Sequence, residues 1–247
     1  MAFLSKPELR RRIWARIRAS GVARFPILEG HTPNFVGAER ATRLLRELTL
    51  WKRARTVKLG LDAPLLSLRR MALLEGKTVY LAVPGLRTEN CFVELDPQRL
   101  RRSVLPFAAS LRGALRFGRT LSPSELQPID LVVVGSLAAN RHGARIGKGG
   151  GETDLEYGLL RREGKVREYT PVVTLLHPVQ VLDERIPMRA HDVPVDFLVT
   201  VDQVLAAPNL HPRPRGIFWE LLPEEAFRKI PVLRKGRREM RFGTRPV

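Results

Sequence analysis

The sequence predicts an α/β protein with a mainly parallel open sheet and helices on both faces. Short apolar runs rich in valine, such as residues 130–134, are typical of strands covered on both faces of a parallel sheet. These runs alternate with segments in which apolar residues recur every three or four positions, the spacing of an amphipathic helix. Residues 56–83 contain a strand, a helix and a second strand, and such a unit forms a right-handed crossover between parallel strands. The chain has 247 residues, of which 44% are hydrophobic, which is enough for one substantial core.

The predicted elements follow one another along most of the chain. Helices are expected at 7–17, 38–50, 64–74, 155–161 and 223–230. Strands are expected at 56–59, 78–83, 130–134, 172–175 and 197–201. We interpret residues 1–233 as a single α/β domain and the strongly basic residues 234–247 as a C-terminal tail. Ligands bind at the carboxyl ends of the strands in open sheets of this kind, so the loop after residue 134 is the first candidate for a site.

A glycine-rich cationic loop follows the strand at 130–134. Arg145 and Lys148 supply positive charge, and the glycines are Gly147, Gly149, Gly150 and Gly151. Backbone amides of glycine can approach an anion without obstruction, and the amino terminus of the next helix adds partial positive charge. The loop is neither a P-loop, which needs glycine in place of His142, nor a dinucleotide fingerprint, which needs glycine in place of Glu152. A tight solvent-exposed turn is the alternative, but it needs neither so many glycines nor the adjacent cations, and we predict a phosphate site.

Other charged residues admit both a functional and a structural interpretation. Lys6 and Arg10 lie four positions apart, so they either decorate one exposed helical face or clamp phosphate groups together. Asp154 suits a helix terminus, and Asp192 suits a turn in which its side chain accepts hydrogen bonds. Magnesium prefers a few carboxylates together with substrate phosphates and water, so the same two aspartates beside a triphosphate also suit a metal site.

Three separated segments resemble the 5-formyltetrahydrofolate cyclo-ligase family. Residues 145–154, RIGKGGGETD, match the spacing of its loop Arg-Leu-Gly-x-Gly-x-Gly-Tyr-Tyr-Asp, with Glu152 and Thr153 in place of the two tyrosines. Residues 6–10 match its Lys-x-x-Leu-Arg, and residues 187–200 match its Pro-x-x-x-His-Asp-x-x-x-Asp-x-Val-Val-Thr. The sequence is more similar still to the methenyltetrahydrofolate synthase domain-containing branch, through ARFP at 23–26, PNFVGA at 33–38 and GIFW at 216–219.

This resemblance implies a fold of the NagB/RpiA/CoA transferase-like type and an ATP- and magnesium-dependent ligase. The enzyme would convert 5-formyltetrahydrofolate to 5,10-methenyltetrahydrofolate through a phosphorylated formyl intermediate. Residues implied to bind ATP or phosphate are Lys6, Arg10, Arg145, Gly147, Lys148, Gly149, Gly150 and Gly151, with Arg145 and Lys148 also catalytic. Asp154 and Asp192 are implied to bind magnesium, and Asp62 aligns loosely with a substrate-binding glutamate. Glu152 and Thr153 cannot stack on a pterin, so the phosphate half of the site matches better than the folate half.

The charge of the chain predicts anionic partners without choosing among them. Its formal net charge is +18, and residues 97–124 contain no acidic residue but have arginines at 99, 101, 102, 112, 116 and 119. Such a surface attracts ATP, folate derivatives and RNA alike, or is simply solvated. An RNA-binding or nucleotide-binding protein on the same fold, without folate turnover, is therefore the alternative function.

Cysteine content and hydropathy suggest the cellular context. The single cysteine, Cys91, excludes an internal disulfide framework, and no apolar run approaches the roughly 20 residues needed to span a membrane. We therefore expect a cytoplasmic protein without a membrane partner.

Overall fold

The computed structural model describes residues 4–24, 30–208 and 210–241. Within these residues the helices are α1 (Lys6–Ser20), α2 (Ala38–Glu47), α3 (Thr49–Arg53), α4 (Leu66–Leu74), α5 (Leu105–Ala108), α6 (Leu111–Phe117), α7 (Glu152–Arg162), α8 (Glu224–Lys229) and α9 (Pro231–Arg241). The strands are β1 (Ala23–Arg24), β2 (Asn34–Phe35), β3 (Thr56–Leu59), β4 (Thr78–Ala82), β5 (Phe92–Leu95), β6 (Arg119–Leu121), β7 (Leu131–Val134), β8 (Ala138–Asn140), β9 (Arg145–Ile146), β10 (Val172–Leu175), β11 (Val181–Leu182), β12 (Phe197–Val199) and β13 (Val204–Ala206). Every predicted helix and strand overlaps one of these elements.

The main sheet has eight strands in the order β13-β12-β10-β7-β3-β4-β5-β6. The five central strands, from β12 to β4, run parallel to one another. The outer strands β13, β5 and β6 pair antiparallel. The prediction of a mainly parallel sheet is confirmed, and the predicted strands are the five parallel ones. The antiparallel edge strands were missed.

Two hydrophobic cores cover the two faces of this sheet. Val57 and Val133 belong to the core on one face, and Val132 and Val134 belong to the core on the other. Successive residues of a strand point to opposite faces, so a strand buried on both sides must be apolar at every position. This accounts for the continuous valine run of β7.

A third core holds α1 against a small sheet of strand order β11-β8-β9. Leu9, Ile13 and Ile17 lie on one stripe of α1 and are each at most 2% exposed. They pack with residues that include Ile146 of β9, which leads directly into the glycine loop. Ser5 caps α1, with Glu8 completing a capping box, so the helix begins close to Lys6. The third core thereby fixes the amino terminus of the chain beside the loop.

Several predicted boundaries differ from the structure, including the helix expected at 38–50, which is divided into α2 and α3. Helix α7 begins at Glu152, not at residue 155, because Gly151 adopts the left-handed conformation and ends the loop there. The boundary predicted after residue 233 falls inside α9, because Val232 and Leu233 are buried and hold that helix against the domain. Residues 234–241 therefore continue a packed helix. The rest of the predicted tail, 242–247, lies outside the described residues, as do the last two residues of the ARFP segment.

None of the helices in the described part of the chain combines the length and the apolar character that crossing a membrane requires.

Candidate active site

The site lies at the carboxyl ends of the central strands β3 and β7. The two strand ends are joined by a hydrogen bond of 2.9 Å from the Gly60 amide to the Val133 carbonyl. The chain leaves β7, forms the small sheet of β8 and β9, and then enters the glycine loop that leads into α7. This is the edge at which a parallel sheet gathers ligand-binding loops.

The glycine loop depends on backbone conformations that other residues rarely adopt. Gly149 has φ of 120° and Gly151, the N-cap of α7, has φ of 69°. A Cβ atom on Gly149 would also lie 3.4 Å from the guanidinium carbon of Arg10. The side chain of Arg10 therefore packs against the loop, and its Nε donates a 2.9 Å hydrogen bond to the Gly147 carbonyl. A glycine N-cap leaves the first amides of α7 without a side-chain acceptor.

Arg145 and Asp154 form a buried ion pair that connects the two ends of the loop. Arg145 Nη2 donates to Asp154 Oδ1, and Arg145 Nε donates to the Val193 carbonyl at 2.8 Å. The Val193 amide donates to the same Asp154 oxygen at 3.0 Å. The Arg145 side chain is only 2% exposed. This arginine is thus bound on several sides and holds the loop in place.

Lys6 and Asp192 form a second ion pair across the site. The Lys6 ammonium lies 2.5 Å from Asp192 Oδ2, which also accepts a hydrogen bond from the Arg189 amide. Asp192 is 6% exposed, and its other oxygen lies 3.9 Å from His191 Nε2. The turn interpretation of Asp192 is thus seen in its bond from the Arg189 amide, while its role in binding magnesium stays a prediction.

These three segments line one cavity of about 260 Å³. Its charged lining residues are Lys6, Arg10, Arg145, Lys148, Arg189, Glu152, Asp154 and Asp192. Cations outnumber carboxylates, so the cavity favours an anion. Of the residues predicted to bind phosphate, all but Gly150 are among those that line it. Arg189 was not predicted, although it stands inside the segment at 187–200 that carries the resemblance.

A second cavity of about 380 Å³ adjoins the first, and both are lined by Gly147, Lys148, Glu152 and Thr153. Asp62 lines only the second cavity. A Cβ atom on Gly135 would lie 2.1 Å from Asp62 Oδ2, so the carboxylate sits directly against the backbone after β7. The structure thus places Asp62 in a neighbouring compartment, which it shares with the predicted site residues Gly147 and Lys148.

Lys148 and Glu152 form an ion pair of 2.7 Å, and both side chains are about 40% exposed. Partial burial lowers the pKa of Lys148, but its hydrogen bond to Glu152 and the charges of Glu152, Asp62 and Glu156 raise it, and the net direction is upward. Glu152 thus contacts the Lys148 ammonium directly, while Asp62 and Glu156 line the same cavity as Lys148.

Sequence reasoning missed a buried ion pair behind that wall. Lys58 of β3 is 2% exposed and pairs with Glu156 of α7, which lines the second cavity. A lysine within the otherwise apolar run of β3 was the available signal, because a charge on a strand buried on both faces needs a partner.

The donor set for a magnesium ion is limited to carboxylates that already have partners. Among the described residues no group of three or more His, Cys, Asp or Glu side chains could hold a metal ion. Asp154 and Asp192 line the same cavity, and each uses one oxygen for a cation and a backbone amide. Two such carboxylates fit magnesium when phosphate oxygens and water complete its coordination.

Comparison with models of protein families identifies the family of this chain. The model of the 5-formyltetrahydrofolate cyclo-ligase family matches residues 3–201, which include the α1 cations, the glycine loop and the Asp192 turn. The chain belongs to the 5-formyltetrahydrofolate cyclo-ligase family.

Relatives within this family confirm the resemblance to one branch. The methenyltetrahydrofolate synthase domain-containing protein of Mus musculus is 38% identical over 245 residues, which are 97% of this chain and 65% of the relative. The Homo sapiens protein of the same name is 36% identical over 245 residues, 97% of this chain and 63% of the relative. The chain thus spans slightly less than two thirds of these relatives.

A solved structure confirms the fold class. This chain aligns with the NMR structure of Aquifex aeolicus 5,10-methenyltetrahydrofolate synthetase with a TM-score of 0.52. It is 23% identical in sequence, and the match covers 81% of this chain and 92% of that chain.

Proposed function

We propose that this protein is an ATP- and magnesium-dependent 5-formyltetrahydrofolate cyclo-ligase-like enzyme that forms 5,10-methenyltetrahydrofolate. The observation that carries the proposal is the pair of adjoining cavities, one cationic and one beside it, with Lys148 on their common wall. Two adjoining compartments would hold a polyphosphate and a second substrate next to each other, with the transferred group at their boundary. Membership of the cyclo-ligase family supports this choice of substrates.

The proposed reaction consists of two displacements. The formyl oxygen of 5-formyltetrahydrofolate attacks the γ-phosphorus of ATP, and ADP leaves. A folate nitrogen then attacks the formyl carbon, and inorganic phosphate leaves as the ring closes. Neither step needs a protein nucleophile, so the protein contributes by positioning the reactants and stabilising the charge that develops.

The cationic cavity would bind and orient the polyphosphate. Lys6 and Arg10 approach from α1, Lys148 from the loop, and the α7 amides are oriented by Gly151. Arg145 is bound to Asp154 and Val193, so we assign it the role of holding the loop and adding positive charge from behind. Magnesium bound to ATP would offset phosphate charge, and Asp154 and Asp192 are the residues that would hold it.

The substitutions at the two tyrosine positions bear on the folate half of the site. Glu152 and Thr153 line the second cavity, and its described lining residues include no Phe, Tyr or Trp side chain. A pterin would there lack the ring-on-ring contact that typically contributes about 0.5–1.5 kcal/mol. This favours a second candidate function, in which the protein binds ATP without turning over folate.

The test is the absorbance change for methenyltetrahydrofolate formation from 5-formyltetrahydrofolate with ATP and magnesium. We expect turnover by the wild type and its loss in Lys148→Met. The control is Lys229→Met, because Lys229 also pairs with a glutamate four positions away, Glu225 at 2.6 Å, and lines neither cavity. The double variant Glu152→Tyr/Thr153→Tyr should lower the KM for the folate by restoring two rings.

Two outcomes would contradict the proposal in different ways. A folded wild type that binds ATP but turns over no folate, with or without the restored tyrosines, would favour the nucleotide-binding function. A folded wild type that binds no ATP would remove the assignment of the cationic cavity itself.

A further inference from the structure

The acid-free segment at 97–124 forms a surface that meets the proposed site only at Leu111. Arg99 pairs with Asp96 at 3.2 Å and Arg119 with Glu94 at 3.3 Å. The other four arginines of the segment are exposed, and none of them forms an ion pair with an acidic side chain in the described ranges: Arg101, Arg102, Arg112 and Arg116. They therefore present positive charge to the outside of the molecule.

Large apolar side chains are exposed among these arginines. Phe107 of α5 is 44% exposed, and Leu111 and Leu115 of α6 are 40% and 49% exposed. On α6 the exposed residues stand at positions 111, 112, 115 and 116, so two leucines and two arginines share one helical face. We call Phe107, Leu111, Leu115, Arg112 and Arg116 the α6 face.

The opposite side of α6 holds this face in a fixed orientation. Gly113 and Ala114 are buried, and a Cβ atom on Gly113 would lie 1.9 Å from the Phe107 carbonyl oxygen, so α6 packs directly on the α5 backbone. Ser110 caps the helix by accepting a 3.0 Å hydrogen bond from the Gly113 amide. The rings of Phe107 and Phe117 meet edge to face, 6.0 Å apart. The apolar side chains thus project from a rigid base.

We propose that the α6 face binds the surface of an anionic lipid bilayer. Arginines flanking protruding apolar side chains complement such a surface, because the guanidinium groups meet the headgroups while leucine and phenylalanine enter the acyl boundary. Each basic side chain near an anionic bilayer raises partitioning by about fivefold, so Arg112 and Arg116 together raise it by more than about tenfold. RNA would match the arginines but not the two leucines, and single-strand binding relies on successive stacked aromatic side chains, of which the α6 face offers one, Phe107.

The α6 face adjoins the proposed acceptor compartment. Leu111 also lines the 380 Å³ cavity. A bilayer bound at this face would therefore lie beside the mouth of that cavity. The protein would be attached peripherally, which departs from the expectation of no membrane partner and needs no spanning segment.

Cosedimentation of the whole chain with phosphatidylcholine vesicles, with and without phosphatidylserine, tests the proposal. We expect binding only when phosphatidylserine is present. The variant Arg112→Glu/Arg116→Glu should bind at least about tenfold more weakly. The control Arg234→Glu/Arg238→Glu makes the same charge change at exposed positions of α9 and should bind as the wild type does. The variant Leu111→Ser/Leu115→Ser keeps the charge and should also bind more weakly.

Several results would overturn the proposal, provided that circular dichroism shows each variant to be folded. Equal losses in the α6 and α9 charge variants would mean that the net charge of the whole protein attracts vesicles. Unchanged binding by the leucine variant would remove the apolar contribution. Absence of vesicle binding would refute the proposal. Loss of single-stranded RNA binding in the α6 charge variant, without any loss of vesicle binding, would assign the face to RNA instead.

Discussion

Replacement of Glu152 by glutamine should tighten ATP binding. In the structure Lys148 is paired with Glu152, so ATP must compete with a carboxylate for this ammonium. The ion pair contributes little free energy, because an exposed i,i+4 ion pair typically contributes only about 0.3–0.5 kcal/mol. A hydrogen bond from a cation to phosphate contributes more, about 1.5–3 kcal/mol. Phosphate should therefore displace Glu152 from Lys148 in the wild type, at a small cost that the variant avoids.

The expected gain combines two terms. Loss of the competing pair contributes about 0.4 kcal/mol. For a bound phosphate at an assumed separation of roughly 7 Å, loss of the Glu152 charge would remove about 0.6 kcal/mol of repulsion at the dielectric constant of water. Their sum of about 1 kcal/mol corresponds to roughly fivefold tighter binding. Lys148→Met should act in the opposite direction and weaken binding by more than about tenfold.

Isothermal titration calorimetry with a non-hydrolysable ATP analogue and magnesium measures the effects of Glu152→Gln and of Lys148→Met on binding. Glu225→Gln is the control, because Glu225 also pairs with a lysine four positions away, Lys229, and lines neither cavity. The double variant Glu152→Gln/Lys148→Met should bind ATP more tightly than Lys148→Met only by the amount that comes from the lost repulsion. Unchanged or weaker binding by Glu152→Gln would refute the exchange of partners at Lys148.

Three further outcomes are expected from the same geometry. Arg145→Ala should destabilise the fold by about 3–5 kcal/mol, because it leaves the partly buried Asp154 carboxylate without its partner. Its stability to chemical denaturation should therefore be measured before its enzyme kinetics are interpreted, and Arg145→Lys should retain more stability. An Arg145→Ala protein as stable as the wild type would contradict the role of Arg145 in holding the loop. Gly149→Ala should weaken ATP binding, because φ of 120° is strained for alanine and the new methyl group meets Arg10, whereas Gly76→Ala, also at positive φ but with open space around it, should not. Burial raises the pKa of Cys91 to about 12, so thiol reagents at neutral pH should label it only after unfolding. Between about pH 9 and pH 12 the stability of the fold should decrease as the pH rises, because only the unfolded state releases this proton. Rapid labelling of the native protein would contradict the burial of Cys91.

The central strands and the main helices were predictable from sequence because their information is local. A continuous apolar run such as that of β7 signals burial on both faces, and the apolar spacing of α1 signals one buried stripe. The edge strands carried weaker signals. In β5, Glu94 is buried beside Tyr80, whose hydroxyl donates to it at 3.0 Å, and a buried carboxylate in a strand is legible only once that partner is known.

The sequence by itself also determined which residue types were available for phosphate binding, because glycines and cations alternate within one short loop. Only the tertiary structure decided which of them meet. Lys6 reaches Asp192 across 186 positions and Arg10 reaches Gly147 across 137 positions, through the packing of α1 on the small sheet. It also placed Asp62 in the second cavity and not in the cationic one, and it paired Lys148 with Glu152. Contacts between distant segments depend on strand order and helix packing, which local periodicity does not encode.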